Sequence, residues 1–375
     1  MSVFYHEGQF PPKHLDFEKL VVPLATATDS IARYDSFLGI IPDSSILIAP
    51  LMTQEAVTSS RIEGTKATVG DVLAYEAGSD DIDPARRNDV LEVINYQAAI
   101  QETEKMLQDI PLSGRVLRRA HAILLDGVRG QYKSPGSYRT EQNWIGRSNN
   151  IAEARYVPIG PEHVEDAMAR WEAFVNESEL PSLIKVSVAH AEFESIHPFL
   201  DGNGRIGRMI IPLMLCLDGV MSHPCFYLSE FFEHRNEEYQ DRLLAVSESH
   251  DWTGWISFFL NAMSEQAKVN LEKARRIFEL YQDTRASLIE RTASASADKV
   301  VAQLFRSAVF TSVSLSKRSN VHQKTVRRLL SALSDMRIIV EISPSSGSRP
   351  AIYAFTELLE ITEGISLRWP DMSTD

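Results

Sequence analysis

Cysteine is nearly absent from this chain: only Cys216 and Cys225 occur in 375 residues. That excludes a disulfide-stapled scaffold and leaves no thiol pair with metal-ligand or redox spacing. Cys216 sits in an apolar run and reads as a small core residue. Long apolar segments are missing too. The longest, MIIPLMLCL at 209–217, stops at Asp218, well short of the ~20 residues that cross a bilayer, so no membrane partner is expected. The opening MSVFYHEGQFPPKHLDFEKL lacks the basic start and apolar stretch of a secretory signal, and a cytoplasmic location is expected. Positive charge is in deficit as well. A net charge of −13 argues against a protein that coats nucleic acid or anionic lipid with its whole surface, but leaves room for a local basic patch. No G-x-x-x-x-G-K-[ST] occurs, which excludes a P-loop. His190 and Glu194 stand four apart, yet no H-E-x-x-H or third ligand accompanies them. Zinc is therefore not expected, and both read as structural hydrogen-bonding residues.

What the chain does contain is helical periodicity, in three segments. Residues 1–110 open with the arm GQFPPKHLDFEKL and continue into RRNDVLEVINYQAAIQETEKMLQDI, where Val90, Val93, Ile94, Gln97 and Ile100 recur at helical spacing. Residues 111–280 keep that period. Ser113 is placed to cap LSGRVLRRAHAILLDGV, and Pro161 suits an early helix position in PEHVEDAMARWEAFVN. Strand-like material is scarce there, and ARYVPIG (154–160) reads as part of a short hairpin. Trp171, Trp252 and Trp255 fall among apolar residues and read as core or interface. After the small-residue linker RTASASADK, residues 292–375 give two helical stretches, DKVVAQLFRSAVF and NVHQKTVRRLLSALSDMRI. A hairpin then turns at SPSSGSRP. Helix, helix-turn-helix and hairpin is the winged-helix order.

The most informative stretch is IHPFLDGNGRIGR, 196–208. It contains a literal G-x-G-x-x-G at Gly202, Gly204 and Gly207, but the upstream pattern (Ile184, Val188, Ala191, Ser195) is helical and no βαβ unit surrounds it. A dinucleotide fingerprint fails on that context. The remaining reading is helix, tight loop, helix. Gly202 and Gly204 permit backbone conformations that aim successive N–H groups at one point. A helix starting near Arg205 adds its unpaired N–H groups and positive dipole end, together an anion site suited to phosphate. Arg205 and Arg208 lie three apart and project from nearly one face, and guanidinium groups bind phosphate oxygens in pairs. Asp201 is placed to hold Mg²⁺, which takes one or two carboxylates plus substrate phosphates. His197, with an ordinary pKa of about 6.5, suits a general base.

His197 through Arg208 resembles the H-x-F-x-[DE]-G-N-G-R-x-x-R signature of the Fic (Fido) family at every fixed position. SPGSYRTEQNWIG (134–146) and YVPIGPEHV (156–164) are similar to segments preceding the active site and forming a target-docking flap. The flap departs slightly, with Ile159-Gly160 where relatives often carry a longer proline run. The likeness covers roughly residues 30–270. It implies a mainly α fold: a Fic-type helical bundle with a short β-hairpin flap, joined here to a small C-terminal winged-helix domain. It implies transfer of AMP from ATP to a Ser, Thr or Tyr hydroxyl of a target protein or of the chain itself. In that scheme His197 is the base and Asp201 holds Mg²⁺. ATP is bound by Gly202, Asn203, Gly204, Arg205, Ile206, Gly207 and Arg208, with Tyr239 near the base. Tyr156, Val157 and Pro158 belong to the docking flap, and relatives are often homodimers. SSRIEG (59–64) matches the family's inhibitory [ST]-x-x-x-E-[GN] motif through Ser59, Glu63 and Gly64. The resemblance pairs Glu63 with Arg208, so that ATP binds unproductively; a largely desolvated pair of that kind would cost several kcal/mol to break. Some relatives with this glutamate also remove AMP.

Two alternatives stand at this point. One is transfer of another phosphate-containing group; phosphoryl-transferring relatives carry a lysine at the second glycine, so Gly204 favours AMP. The other is a DNA-binding regulator whose helical core senses nucleotide. Between 314 and 337 lie Lys317, Arg318, Lys324, Arg327, Arg328 and Arg337 against Asp335 alone.

Overall fold

The computed structural model describes residues 2–79, 83–146, 148, 150–347 and 349–363. It is mainly helical, as expected. In chain order the elements are β1 (Val3–Phe4), α1 (Phe17–Gly39), α2 (Ser45–Ile62), α3 (Val69–Glu76), α4 (Arg87–Met106), α5 (Gly114–Leu124), β2 (Tyr156–Val157), α6 (Val164–Glu177), α7 (Ser182–Ile196) and α8 (Asn203–Leu217). They continue with α9 (Ser229–His234), α10 (Asn236–Ser249), α11 (Trp252–Thr292), α12 (Ala297–Arg306), β3 (Val309–Thr311), α13 (Ser312–Ser319), α14 (Gln323–Asp335), β4 (Val340–Ser343), β5 (Ile352–Ala354) and α15 (Thr356–Glu363). Compactness divides the chain into two discontinuous units. The first comprises Met1–Ser36, Thr58–Thr65 and Glu92–Val269, the second Phe37–Val57, Lys66–Leu91 and Asn270–Asp375.

The first unit is built around α7. Thirteen of its fifteen residues are buried, the pattern of a helix surrounded on all sides rather than an amphipathic one. Three of its polar members have partners at hand: Lys185 reaches Asp218 at 2.6 Å, Ser187 donates to Ile184 O, and Ser195 to Ala191 O. Trp171 and Trp255 flank it with their indole N–H groups on Ala189 O and Ser187 O, each at 2.8 Å. Aromatic bulk fills the core while its one polar atom stays satisfied.

The expected hairpin at 154–160 is reduced, among the described residues, to an antiparallel bridge between Ile145 and Tyr156. β2 also pairs in parallel with β1, Val3 opposite Tyr156 and Phe4 opposite Val157, which the sequence did not foreshadow. The chain's beginning is drawn there by Glu192 of α7, which accepts from Tyr5 Oη at 2.6 Å and bonds His6 Nε2 at 2.9 Å.

In the second unit, α12 stops at Arg306 and Val309–Thr311 forms a strand where the sequence pattern continued a helix. The β-favouring Val-Phe-Thr pairs there with β5. Strand order is β3-β5-β4, all antiparallel, with α13 and α14 between β3 and β4. Of the winged-helix segment expected over 292–375, Ser348 and residues 364–375 lie outside the described residues.

Candidate active site

Six residues, 197–202, connect α7 to α8, and the turn forces polar backbone into the interior. Pro198 cannot continue the helix. His197 caps α7 in the left-handed region at φ 50°, and Gly202 caps α8 at φ 78°. The exposed carbonyls at the end of α7 are gathered by Arg139, itself 2% exposed. Its Nε donates to His197 O at 2.9 Å and its Nη2 to Ile196 O at 3.3 Å and to Ile159 O. Asn203 binds the loop to itself: Oδ1 accepts from Phe199 N and Nδ2 donates to Phe199 O, both at 2.8 Å. His121 stacks on Phe199 with ring centroids 3.8 Å apart. Its Nδ1 accepts from Gly136 N, so Nε2 carries the proton and donates to Asp201 O.

Helix α8 makes its first internal bond from Ile206 N to Gly202 O at 3.1 Å. The N–H groups of Asn203, Gly204 and Arg205 therefore precede the ladder and form the anion-binding end expected of a helix start, two residues earlier than the sequence placed it. Gly202 needs its left-handed backbone. Gly204 needs something else: a Cβ there would overlap Glu63 Oε1 and Arg208 Nη1. Gly207 is pressed the same way against Glu194 Oε1. Ile206 is buried beneath them.

Glu63, Glu194, His197, Gly204, Arg208 and Tyr239 share the wall of a cavity of about 380 Å³, within the range of small-molecule sites. Arg208 is held three ways: Nε donates to Ser59 Oγ at 2.9 Å, Nη2 to Ser59 O at 2.9 Å and to Glu63 Oε1 at 2.7 Å. Arg208 is 3% exposed but Glu63 keeps 36% of its side chain in solvent, which corrects the picture of a largely desolvated pair. Discounted for that exposure, the pair contributes about 1–3 kcal/mol. Burial pushes Glu63 up, and the charge and hydrogen bond of Arg208 more than offset it, holding the carboxyl below its ordinary value.

The second carboxylate near this guanidinium is Glu194. Its Oε1 is buried without a hydrogen-bond partner, and burial raises it to about 7. The reading of Glu194 as a structural hydrogen-bonding residue is thus corrected at that oxygen. His190 does serve that role: Nδ1 donates to Gly207 O at 3.0 Å and Nε2 accepts from Tyr239 Oη at 2.9 Å, which fixes Tyr239 in the cavity wall, stacked 4.3 Å from Phe232. His197 is not an ordinary imidazole: burial pulls it to about 4, so it is neutral near pH 7. Its Nδ1 faces Glu194 O at 3.3 Å, an acceptor only, which leaves Nε2 as the basic nitrogen.

Arg205 does not join this group. It is 1% exposed and paired at 3.0 Å with Glu92, also 1% exposed, on α4; Asp201 Oδ1 is 3.7 Å from its Nη2. Sequence reasoning missed Glu92, although a carboxylate between the buried Val90 and Val93 was a visible anomaly. Asp201 retains 36% exposure and spends Oδ1 on its neighbour Gly202 N. One carboxylate with a solvent-facing side fits Mg²⁺, which relies on phosphate oxygens for most of its shell. Among the described residues no three His, Cys, Asp or Glu side chains form a metal cage, and no helix is long and apolar enough to cross a membrane. Tyr156, Val157 and Pro158 turn their side chains inward, Tyr156 Oη donating to Ser195 O at 2.9 Å; what they leave toward solvent is the rim at Ile145, 38% exposed.

The Fic/DOC family N-terminal model matches residues 21–104 and the Fic/DOC family model residues 111–215. Protein adenylyltransferase Fic of Drosophila grimshawi is 32% identical over 124 residues, 32% of this chain and 22% of that protein. Protein adenylyltransferase fic-1 of Caenorhabditis briggsae is 23% identical over 170 residues, 42% of this chain and 30% of that one. The chain thus spans under a third of the length of these curated relatives. A Fic family protein from Desulfovibrio desulfuricans G20 has the same fold, with a TM-score of 0.61 at 21% identity, covering 92% of this chain and 98% of that one. A fragment of Fic-1 from C. elegans gives 0.56 at 18%, covering 70% and 75%.

Two stability outcomes follow from this geometry. Glu92→Gln leaves Arg205 buried without its counter-charge and is expected to cost about 3–5 kcal/mol, read as a lowered urea midpoint; an unchanged midpoint would refute the pairing. His121, His190 and His197 are depressed by burial to about 4, 3 and 4 from 6.5. Below pH 6.5 the unfolded chain binds protons that the folded chain does not, so stability falls as pH drops from 6.5 toward 4. Glu194, raised to about 7, acts in the opposite sense, one group against three. Urea midpoints at pH 7 and pH 5 test the sign.

Proposed function

Because this chain belongs to the Fic/DOC family, we propose that it is an autoinhibited protein adenylyltransferase. It transfers AMP from ATP to a hydroxyl of a target protein or of itself and releases pyrophosphate. The observation that carries this reading is Arg208, clasped by Ser59 and Glu63 on the wall of the cavity that holds His197.

The chemistry follows from the atoms available. His197 Nε2, neutral at physiological pH, takes the proton of the incoming hydroxyl. The resulting oxygen forms a bond to the α-phosphorus while the bond to the β-bridging oxygen breaks, and pyrophosphate departs. Developing charge meets the N–H groups of Asn203, Gly204 and Arg205 and the positive end of α8, a preorganised site of the kind that dominates phosphate-group transfer. Asp201 would hold Mg²⁺, which neutralises triphosphate charge when bound. Arg208, once free of Glu63, orients the outer phosphates. The side chain of Asn203 positions the loop, being 2% exposed and bonded to Phe199 through both Oδ1 and Nδ2. Arg205, committed to Glu92, likewise acts by anchoring α8. Tyr239 and Glu194 complete the wall.

Inhibition is competition for one guanidinium. With Glu63 in place, nucleotide meets an arginine already neutralised; at about 1–3 kcal/mol the block corresponds to roughly five- to 150-fold. Glu63→Gly is expected to raise incorporation of label from α-³²P ATP by at least about fivefold, with none from γ-³²P ATP. Adding His197→Ala is expected to remove that gain by 10² or more, the usual worth of a general base. No increase in the first variant would sink the inhibition claim, and undiminished labelling in the second would sink the mechanism.

The pH profile separates the two titrating groups. In Glu63→Gly, the acid limb set by His197 is expected below about pH 5, since a base pulled to about 4 is already neutral at pH 6. Any inflection near 7 belongs to Glu194 and is expected to vanish in Glu194→Gln while the acid limb stays. A rate that halves at pH 6.5 in both backgrounds would show that His197 is an ordinary imidazole.

A further inference from the structure

Outside the transferase site, the chemically most distinctive surface of this chain is in the second unit. Residues 312–354 carry seven Lys and Arg (Lys317, Arg318, Lys324, Arg327, Arg328, Arg337, Arg349) against two acids, Asp335 and Glu341, within a chain of net charge −13. The cations are presented by a defined scaffold. α13 begins in a capping box, Thr311 Oγ1 accepting from Ser314 N at 3.1 Å and Ser314 Oγ from Thr311 N at 3.0 Å. Asn320, left-handed at φ 52° and ψ 40°, ends it, and a three-residue turn leads to His322, whose ring accepts from Lys324 N and starts α14.

Helix α14 has two unlike faces. Val326, Leu329, Leu330 and Leu333 are buried, whereas Lys324, Arg327, Arg328 and Ser331 are all exposed. The exposed set falls at i, i+3, i+4 and i+7, one continuous stripe. Its three cations lie in the first half of the helix, the half that a recognition helix inserts. Thirteen residues give a rod of about 20 Å, and the major groove of B-form DNA admits an α-helix. Lys317 near the end of α13 and Arg349 in the loop joining β4 to β5 are exposed on the elements that flank a recognition helix in sequence. Nothing apolar accompanies the stripe on α14 that would favour a lipid surface.

We propose that α13 and α14 form a duplex-DNA-binding element, with α14 entering the major groove, Arg327 and Arg328 reading base edges, and Lys317, Lys324 and Arg349 contacting phosphates. Guanidinium forks suit the paired acceptors of guanine, and a basic segment on an acidic chain confines the polyanion to this face. Glu341, beside Tyr353 and Arg327, bounds the stripe on the hairpin side. This inference goes beyond the transferase reading and does not depend on it.

The test uses the full chain and a fluorescein-labelled pool of randomised 20-base-pair duplexes, followed by anisotropy. Binding is expected at 50 mM NaCl and is expected to weaken on the order of 10²-fold by 200 mM, as release of three or four counterions requires. Arg327→Glu/Arg328→Glu is expected to lose at least tenfold in affinity at 50 mM, and Arg327→Gln/Arg328→Gln a smaller amount. The neutral pair supplies the reading if the reversed pair fails to fold by circular dichroism. Sequencing of the bound pool is expected to recover a short motif that relaxes in Arg328→Ala. Labelling by Glu63→Gly carrying the reversed pair is expected to be unchanged, so loss of either activity is diagnosed separately. No binding at 50 mM with about 100 μM chain, or binding retained in full by both charge variants, overturns the proposal.

Discussion

Two buried helices joined by six residues leave a cluster of backbone carbonyls far from water, and the turn holds its shape because side chains reach in to bond them. Arg139 reaches across from a loop to collect the carbonyls that end α7, Asn203 closes the turn on Phe199, and His121 supports it from below while bonding Asp201. An unpaired buried polar group costs about 1–3 kcal/mol, so the turn has little freedom to relax into another shape. The rigidity has a chemical product: His197, on the cavity wall, is held at a left-handed backbone with Nδ1 facing Glu194 O.

Upon that frame sits an unequal electrostatic contest. One guanidinium, Arg208, lies near two carboxylates. Glu63, one residue past the end of α2, has the hydrogen bond and is held below its ordinary value; Glu194 on α7 has Oε1 without a partner and is driven toward its neutral form by burial. Glu63 also reaches solvent, so this pair is dry on the Arg208 side alone, whereas the Arg205–Glu92 pair is dry on both sides.

Much of the site was legible because its residues are contiguous. The run from His197 to Arg208 places a histidine, a carboxylate, glycines and two arginines between the end of α7 and the first turns of α8, and Ser59 and Glu63 are recognisable once that run is known. What could not be read was the division of labour among residues of the same kind. Gly202 and Gly204 look alike in sequence, yet one supplies a left-handed backbone and the other clearance for Glu63 and Arg208. Arg205 and Arg208 look alike, yet only one faces the cavity. The helix-strand boundary at Arg306 and the parallel pairing of β1 with β2 were likewise hidden, because both depend on strands brought from distant parts of the chain.

The amino-acid order alone determined the helix-loop-helix setting and placed a histidine, a carboxylate, glycines and arginines within the twelve residues 197–208, since these rest on local spacing and side-chain type. Tertiary structure alone decided that His197 is neutral, that Arg205 is neutralised by Glu92, and that Glu194 stands unpaired in the wall. Each of these is set by burial and by a partner from another helix, and both burial and distance are properties of the folded interior that no stretch of sequence contains.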